Sequence, residues 1–279
     1  LAFAASLQAK GSFFIGLRWG SASSALPFFP AARDLRFASL IRSRSLRFAL
    51  RKAPVMILDK LDALRTATII LASQSPRRVE ILNDIIGLGV QAIPSKFEED
   101  LDKAKFTPAT YVQETARQKA LEVWKRLKDA GESPDLVIGG DTVVALDEMI
   151  LEKPQDKADA ERMLRELSGH THSVFSGVAL LYAGRDGAVA ERLFTEQTRV
   201  TFAELSAGVI KAYVESGEPM DKAGGYGIQA AGGTFVSGIS GCYYNVMGFP
   251  MHSFCREVAS LIDEGALLGG PARKASKQD

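Results

Sequence analysis

The chain has 279 residues, of which 46% are hydrophobic and 24% charged, with 34 basic residues against 33 acidic ones. A formal net charge of +1 gives no general attraction to nucleic acids or membrane surfaces, and we expect neither as a partner. Two cysteines in no CxxC pattern and three scattered histidines argue against a disulfide framework and a zinc site, and no apolar run reaches the roughly 20 residues that span a bilayer.

Residues 1–55 differ in composition from the rest of the chain. They hold nine basic residues against one acidic residue, Asp34, and are rich in serine, alanine and phenylalanine. That composition is typical of an organellar transit peptide. A non-native extension is the alternative, because the chain begins with leucine and Met56 is a natural start. We expect a cytoplasmic protein, or a mitochondrial or plastid one if the transit peptide is genuine. The folded domain is predicted at 56–264, with a disordered tail at 265–279.

Strand-like and helix-like segments alternate along residues 56–264. An apolar run at 67–73 predicts a buried strand, and Ser75 with Pro76 predicts a capped helix start. The further elements expected are a strand at 90–94, a long helix from 107, a short strand at 136–138 that breaks at Gly139 and Gly140, a helix at 156–167, long strands at 173–182 and 191–202, a helix from 206 to 217, and a last helix at 250–263. This order predicts an α/β fold with a mixed, twisted sheet flanked by helices.

The stretch LASQSPRR at 71–78 joins a predicted strand to a predicted helix start. Free backbone N–H groups at a helix N-terminus attract anions, and Ser73 can add a hydroxyl donor. Arg77 and Arg78 lie where a cation opposes the helix dipole, and arginine forks match phosphate oxygens. The stretch therefore predicts a site for a phosphate chain. A solvated basic turn and a phosphorylatable Ser-Pro are the alternatives.

Two acidic positions are candidates for catalysis or metal binding. Asp141 follows two glycines at the predicted carboxyl end of a buried strand, where ligands bind in open α/β sheets. A carboxylate there can bind Mg²⁺ or orient a water. Glu98 begins the acidic run EED at 98–100, which at a strand end can hold a metal. A plain turn aspartate and a solvated acidic face are the corresponding alternatives.

Further polar candidates occur at three places. Lys119 lies among the apolar positions of the long helix, where it either reaches into a cleft or snorkels outward. Lys153 follows in the stretch LEKP, with an isolated surface lysine as the alternative. The stretch DKAGGYGIQ at 221–229 has three glycines that permit close backbone approach to a ligand. Gln229 can read the edge of a base there, with a flexible loop as the alternative.

Several motifs in this order resemble the Maf family of nucleotide pyrophosphatases. They are LASQSPRR at 71–78, GGDT at 139–142, EKP at 152–154, LSGH at 167–170 with SV at 173–174, and EPMDKAGGYGIQ at 218–229. Within the family, the chain most resembles a eukaryotic Maf-like domain that also occurs fused to a methyltransferase-like domain. In this chain we expect the Maf-like domain to occur without the methyltransferase-like domain. Gly140 departs from the alanine that is common at its position.

The resemblance implies two lobes around a nucleotide cleft, and hydrolysis of a nucleoside triphosphate to the monophosphate and pyrophosphate. It also implies a divalent metal (Mg²⁺, Mn²⁺ or Co²⁺) and a homodimer. Members of the dTTP/UTP type carry arginine at the position of Arg77, whereas those of the 7-methyl-GTP type carry a bulky aromatic residue there. The chain therefore resembles the dTTP/UTP type. A house-cleaning role follows from this activity. A nucleotide-binding regulator of cell division without significant turnover is the alternative.

The resemblance also implies a role for each matching residue. Asp141 corresponds to the family's proton acceptor, and Arg77, Thr142 and Gln229 correspond to positions linked to the choice of base. The predicted catalytic residues are Asp141, Lys153 and Glu98. The predicted substrate-binding residues are Ser73, Arg77, Arg78, Lys119, Thr142 and Gln229, and the predicted metal ligands are Glu98 and Asp141.

Overall fold

A computed structural model of the protein describes residues 56–184 and 187–268. Within these residues, the strands are β1 Ile69–Ala72, β2 Gln91–Ala92, β3 Leu136–Leu146, β4 Met149–Leu151, β5 Thr171–Ala183, β6 Val189–Phe202 and β7 Val236–Ser240. The α-helices are α1 Leu61–Leu64, α2 Pro76–Val79, α3 Pro108–Asp129, α4 Lys157–Leu167, α5 Ala207–Glu215, α6 Tyr243–Met247 and α7 Met251–Asp263.

The strands form one mixed sheet in the order β2-β1-β3-β5-β6-β7, with β4 paired to β3 as a short hairpin. Strand β1 is parallel to both of its neighbours, β2 and β3. The long strands β3, β5 and β6 and the edge strand β7 pair antiparallel. The predicted α/β fold with a mixed sheet flanked by helices is therefore confirmed.

Helices cover both faces of this sheet because the apolar residues of β1 alternate between them. Ile69 and Leu71 belong to a core cluster that includes Phe254 and Val258 of α7. Ile70 and Ala72 belong to another cluster, with residues of α3. A separate cluster joins α4 and α5 to β5 and β6. The apolar core of the described residues thus lies on both faces of the one sheet, with the α4–α5 cluster packed on its long strands.

The strand predicted at 136–138 does not break at its glycines. Strand β3 continues through Gly139 and Gly140 to Leu146, so Asp141 lies within a strand rather than after one. The glycines serve close packing instead of a turn: a Cβ atom at Gly139 would overlap the backbone carbonyl of Ala116 in α3. The neighbouring strand β1 does end here, since its last residue, Ala72, pairs with Gly139. Asp141 therefore borders the space beyond β1.

The predicted helix starts are confirmed where a polar side chain caps them. Thr107, Asp156 and Ser206 each accept a hydrogen bond from the backbone N–H three residues further on, at the starts of α3, α4 and α5. The helix expected after Ser75 differs in two respects. The side chain of Ser75 makes no cap hydrogen bond, and α2 has only four residues before the chain continues as a π-helix, Glu80–Ile85.

The remaining differences concern short elements and the chain ends. Strand β2 has two residues rather than the five expected at 90–94. Leu267 is buried at 3% exposure and packs into the core, so the packed chain extends beyond the boundary expected at 264. The predicted extension 1–55, the rest of the tail from 269 and part of the turn 184–187 lie outside the described residues. None of the helices in the described ranges is long and apolar enough to cross a membrane.

Candidate active site

A cleft of about 510 Å³ opens beside the end of β1. Its walls come from the stretches that the sequence singled out, together with residues 246–248 at the end of α6. The structure brings nearly all of the predicted site residues together in these walls: Ser73, Arg77, Arg78, Lys119, Asp141, Thr142, Lys153 and Gln229. Glu98 is the exception.

Glu99, rather than Glu98, faces the cleft. Glu98 is exposed and does not line the walls, whereas Glu99 does. The Oε2 atom of Glu99 lies 2.8 Å from Nζ of Lys119. Neighbouring side chains in a non-helical segment project in different directions, and the acidic run alone gave no sign of which glutamate would point inward. Of the two neighbouring glutamates, Glu99 is therefore the one that lies at the cleft, and the role expected for Glu98 stays a prediction.

Lys119 and Asp141 form a buried ion pair at the base of the cleft. Nζ of Lys119 donates to Oδ1 of Asp141 over 2.9 Å, and the two residues are 9% and 8% exposed. The pair exists because α3 lies directly against the sheet. A Cβ atom at Gly139 or at Gly177 of β5 would overlap backbone atoms of α3. The lysine thus reaches into the cleft instead of snorkelling outward.

Arg78 is a buried cation whose hydrogen-bond partners are neutral. Nε donates to the carbonyl oxygen of Gly248 (3.0 Å), Nη1 to Oγ of Ser73 (3.0 Å) and Nη2 to Oγ1 of Thr142 (3.1 Å). Across residues 56–184 and 187–268 it has no carboxylate within ion-pair distance. Burial lowers the pKa of Arg78, but a guanidinium stays protonated in proteins. Asp141 and Glu99 act on this charge only from beyond ion-pair distance, so Arg78 brings to the cleft a positive charge without a directly paired carboxylate.

Arg77 joins two of the segments that line the cleft. Its Nη1 donates to Oδ2 of Asp221 over 2.8 Å, and its Nη2 donates to the backbone carbonyl oxygen of Asp221 over 3.0 Å. Burial raises the pKa of Asp221, but hydrogen bonds from Lys222 and Arg77 outweigh it, and the pKa falls below its usual value. Asp221 therefore carries its charge at neutral pH.

The carbonyl of Gly248 is a part of the site that sequence reasoning missed. It accepts from Arg78 and also from Oγ1 of Thr142, at 3.1 Å. Thr142 in turn shares a 2.8 Å hydrogen bond with Ser176 of β5. Gly248 has φ of +123°, a conformation that favours glycine. The sequence shows only a glycine directly after the apolar residues at the end of α6. A glycine there does not indicate that its carbonyl accepts hydrogen bonds from the site.

Lys153 and Gln229 line the cleft with side chains that are free to meet a ligand. Both residues are exposed. In the part of the chain that the structure describes, neither makes a side-chain hydrogen bond, and Lys153 has no ion-pair partner. Lys153 thus adds to the cleft a positive charge that has no ion-pair partner among the described residues.

Two carboxylates of the cleft suit a divalent cation. Glu99 and Asp141 both contact the ammonium group of Lys119, so the two carboxylates already surround one cation. Carboxylate oxygens are preferred by Mg²⁺ and Mn²⁺, and Mg²⁺ is often bound by one or two carboxylates together with substrate phosphates. No group of three or more His, Cys, Asp or Glu residues within 56–184 and 187–268 forms a complete metal site. A metal here would need further oxygens from a ligand.

Fold and cleft together define a class of protein: an α/β protein with a cationic cleft beside the end of a parallel strand, suited to a phosphate-bearing ligand. The family model described as Maf-like protein matches residues 68–261. The chain belongs to this family, as its motifs indicated.

Relatives of known name share this part of the chain. A human protein named "Probable bifunctional dTTP/UTP pyrophosphatase/methyltransferase protein" is 54% identical over 199 residues, which are 69% of this chain and 32% of the human protein. This chain thus spans about a third of that relative. A Clostridium perfringens protein named "dTTP/UTP pyrophosphatase" is 48% identical over 184 residues, 66% of this chain and 92% of its own.

A solved structure with some likeness is a HAM1 protein from Coxiella burnetii. It is 16% identical, and the match covers 71% of this chain and 99% of that one. Its TM-score of 0.38 is too low to support a comparison of the two folds in detail.

Proposed function

We propose that this chain hydrolyses nucleoside triphosphates, with dTTP and UTP as its main substrates, to the monophosphate and pyrophosphate. The observation that carries this proposal is the charge of the cleft. Arg78 is buried among neutral acceptors, and Lys153 has no partner among the described residues. Burying a cation without a directly paired carboxylate is costly, and a polyphosphate would supply such a partner. The names of the two relatives support the same activity.

The proposed reaction uses the residues at the base of the cleft. A water attacks the α-phosphorus, and the bond from that phosphorus to the oxygen bridging to the β-phosphorus breaks. Asp141 takes the proton of the attacking water, and Lys119 holds its carboxylate in place. Pyrophosphate leaves with the bonding electrons, while Arg78 and Lys153 offset the charge that grows on the phosphate oxygens.

A divalent metal fits this scheme. Glu99 and Asp141 would hold it, and when bound it would supply Lewis-acid stabilisation of the phosphate oxygens. Mg²⁺, Mn²⁺ and Co²⁺ are the candidates that the resemblance implies. Arg77 and Gln229, which face the cleft from different segments, are proposed to select the base.

The test is pyrophosphate release from a panel of nucleoside triphosphates by the full chain with Mg²⁺, Mn²⁺ or Co²⁺. We expect UTP and dTTP to be the fastest substrates. Asp141→Asn should lose turnover and keep nucleotide binding, whereas the control Asp129→Asn, at the exposed end of α3, should keep both. Tight binding without release from any triphosphate would favour a nucleotide-binding regulator instead.

The assembly and compartment remain predictions. A homodimer is proposed from the resemblance alone, and light scattering of the purified chain measures it. A cytoplasmic location is proposed because two cysteines outside any disulfide pattern suit a reducing compartment, and microscopy of the tagged full chain tests it against an organellar location.

A further inference from the structure

We infer that Asp221 is a positioning residue for base selection, because it fixes the guanidinium of Arg77 to the loop that carries Gln229. The inference deepens the proposed function and rests on it. It concerns how Arg77 and Gln229, the two side chains proposed to read the base, keep a fixed position relative to one another.

Asp221 holds both terminal nitrogens of Arg77. Nη1 donates to the carboxylate over 2.8 Å and Nη2 to the backbone carbonyl of the same residue over 3.0 Å. Two bonds to one residue fix the plane of the guanidinium as well as its position. An arginine has five N–H donors, so others remain for a ligand. The side chain of Arg77 is only 18% exposed, and it lines the cleft.

Asp221 itself belongs to a well-anchored loop. Nζ of Lys222 donates to Oδ1 of Asp221 over 2.7 Å and to the carbonyl oxygen of Glu218 over 2.6 Å. The carboxylate of Glu218 accepts from the hydroxyl of Tyr213 (2.8 Å) and from the backbone N–H of Gly232 (3.2 Å). The loop is thus tied to α5 before it and to the chain after Gln229.

The link between Arg77 and Asp221 joins parts of the chain that are 144 residues apart. No local constraint of either segment can replace it. Without it, Arg77 would retain its charge and its attraction for phosphate, but its long side chain would sample several rotamers. Loss of Asp221 should therefore change the position of the N–H donors of Arg77, while the donors themselves remain.

A fixed donor discriminates between pyrimidines in a way that a mobile one does not. Uracil and thymine carry an acceptor oxygen at the position where cytosine carries an amino donor. A guanidinium has only donors, so it favours the oxygen and opposes the amino group when it is held at that edge. We therefore expect Asp221 to control the preference for UTP over CTP.

The experiment is a double-mutant cycle on base preference. The ratio of kcat/KM for UTP to that for CTP is measured in the wild type, Asp221→Ala, Arg77→Ala and the double variant. Asp221→Ala should lower the ratio about tenfold, the effect of losing one charge-assisted interaction. In the Arg77→Ala background, the same substitution should change the ratio no further. Asp221→Asn, which unlike Asp221→Ala keeps one side-chain acceptor oxygen, should fall between wild type and Asp221→Ala.

A surface ion pair provides the control. Glu215 pairs with Lys157 at 2.9 Å and is 60% exposed, close to the 58% of Asp221 in its pair with Arg77. Glu215→Gln should leave the ratio unchanged. The inference is overturned if Asp221→Ala keeps the wild-type ratio, or if it lowers the ratio equally with and without Arg77.

Calorimetric binding of UMP and CMP gives the same ratio for any variant without turnover. If the wild-type chain releases no pyrophosphate, the proposed activity is contradicted. The inference would still be supported if that chain prefers UMP to CMP and the preference depends on Asp221 and Arg77. Binding that is indifferent to Asp221 would overturn the inference whether or not the wild type is active.

Discussion

The ammonium of Lys119 lies 2.9 Å from the carboxylate of Asp141, and glycine in the sheet makes this contact possible. Helix α3 packs so closely on β3 and β5 that Gly139 and Gly177 meet its backbone. A larger residue at either position would push the helix away, and with it the lysine. The packing of the core and the geometry of the cleft are therefore coupled at this point.

Gly139→Ala should destabilise the fold and lower activity together. The added methyl would overlap the carbonyl of Ala116, and such overpacking costs roughly 1–3 kcal/mol. Thermal unfolding and pyrophosphate release are the measurements. Gly238→Ala in the edge strand β7 is the control, because nothing lies within 4 Å of its added Cβ atom. An unchanged melting temperature in Gly139→Ala would contradict the close packing of α3.

Arg78→Lys should reduce both stability and activity although it keeps the charge. A lysine cannot reproduce the fork that reaches Ser73, Thr142 and Gly248. Hydrogen bonds to a charged donor contribute about 1.5–3 kcal/mol each, and lysine cannot keep all three. Urea unfolding measures the loss. Arg165→Lys, in an exposed pair with Glu161, should change the free energy of unfolding by less than about 1 kcal/mol. Equal effects in the two variants would argue against the role of Arg78.

Glu99→Gln and Glu98→Gln should differ although the residues are neighbours. Glu99 contacts Lys119 in the cleft, and Glu98 does not line it. We expect Glu99→Gln to raise the Mn²⁺ concentration for half-maximal pyrophosphate release about tenfold or more, by analogy with the loss of one charged ligand interaction. Glu98→Gln should leave it unchanged. The opposite pattern would support Glu98 as the metal ligand, as expected from the sequence.

His172 should make stability depend on pH. It is 2% exposed, its Nε2 lies 2.9 Å from the hydroxyl of Tyr226, and burial lowers its pKa to about 4. An unfolded histidine titrates near pH 6.5. Between these values the unfolded chain binds a proton that the folded chain does not, so the free energy of unfolding decreases as pH falls. The contribution, about 3 kcal/mol, is fully present above about pH 7 and is lost towards pH 4.

Urea unfolding at pH 7 and pH 5 tests this dependence. His172→Gln should show a smaller difference in the free energy of unfolding between the two pH values than the wild type. His170→Gln, which changes an exposed histidine two residues away, is the control and should behave like the wild type. A wild-type pH dependence in His172→Gln would contradict the role given to this histidine.

Local signals in the sequence were sufficient for some elements. Thr107, Asp156 and Ser206 begin helices because each cap needs only the backbone N–H groups that follow it. Motif order was sufficient to place Arg78, Asp141 and Lys153 in one cleft. The continuation of β3 through Gly139 was not predictable from local sequence. The glycine is there because α3, an earlier element of the chain, packs against it. The choice between Glu98 and Glu99 and the partner of Arg77 likewise depend on tertiary contacts.

Hydrolysis of UTP in ¹⁸O-labelled water by the full chain tests the central claim most directly. The account predicts UMP that carries the label and pyrophosphate that does not, because water attacks the α-phosphorus. Labelled pyrophosphate, or UDP and inorganic phosphate as products, would contradict it.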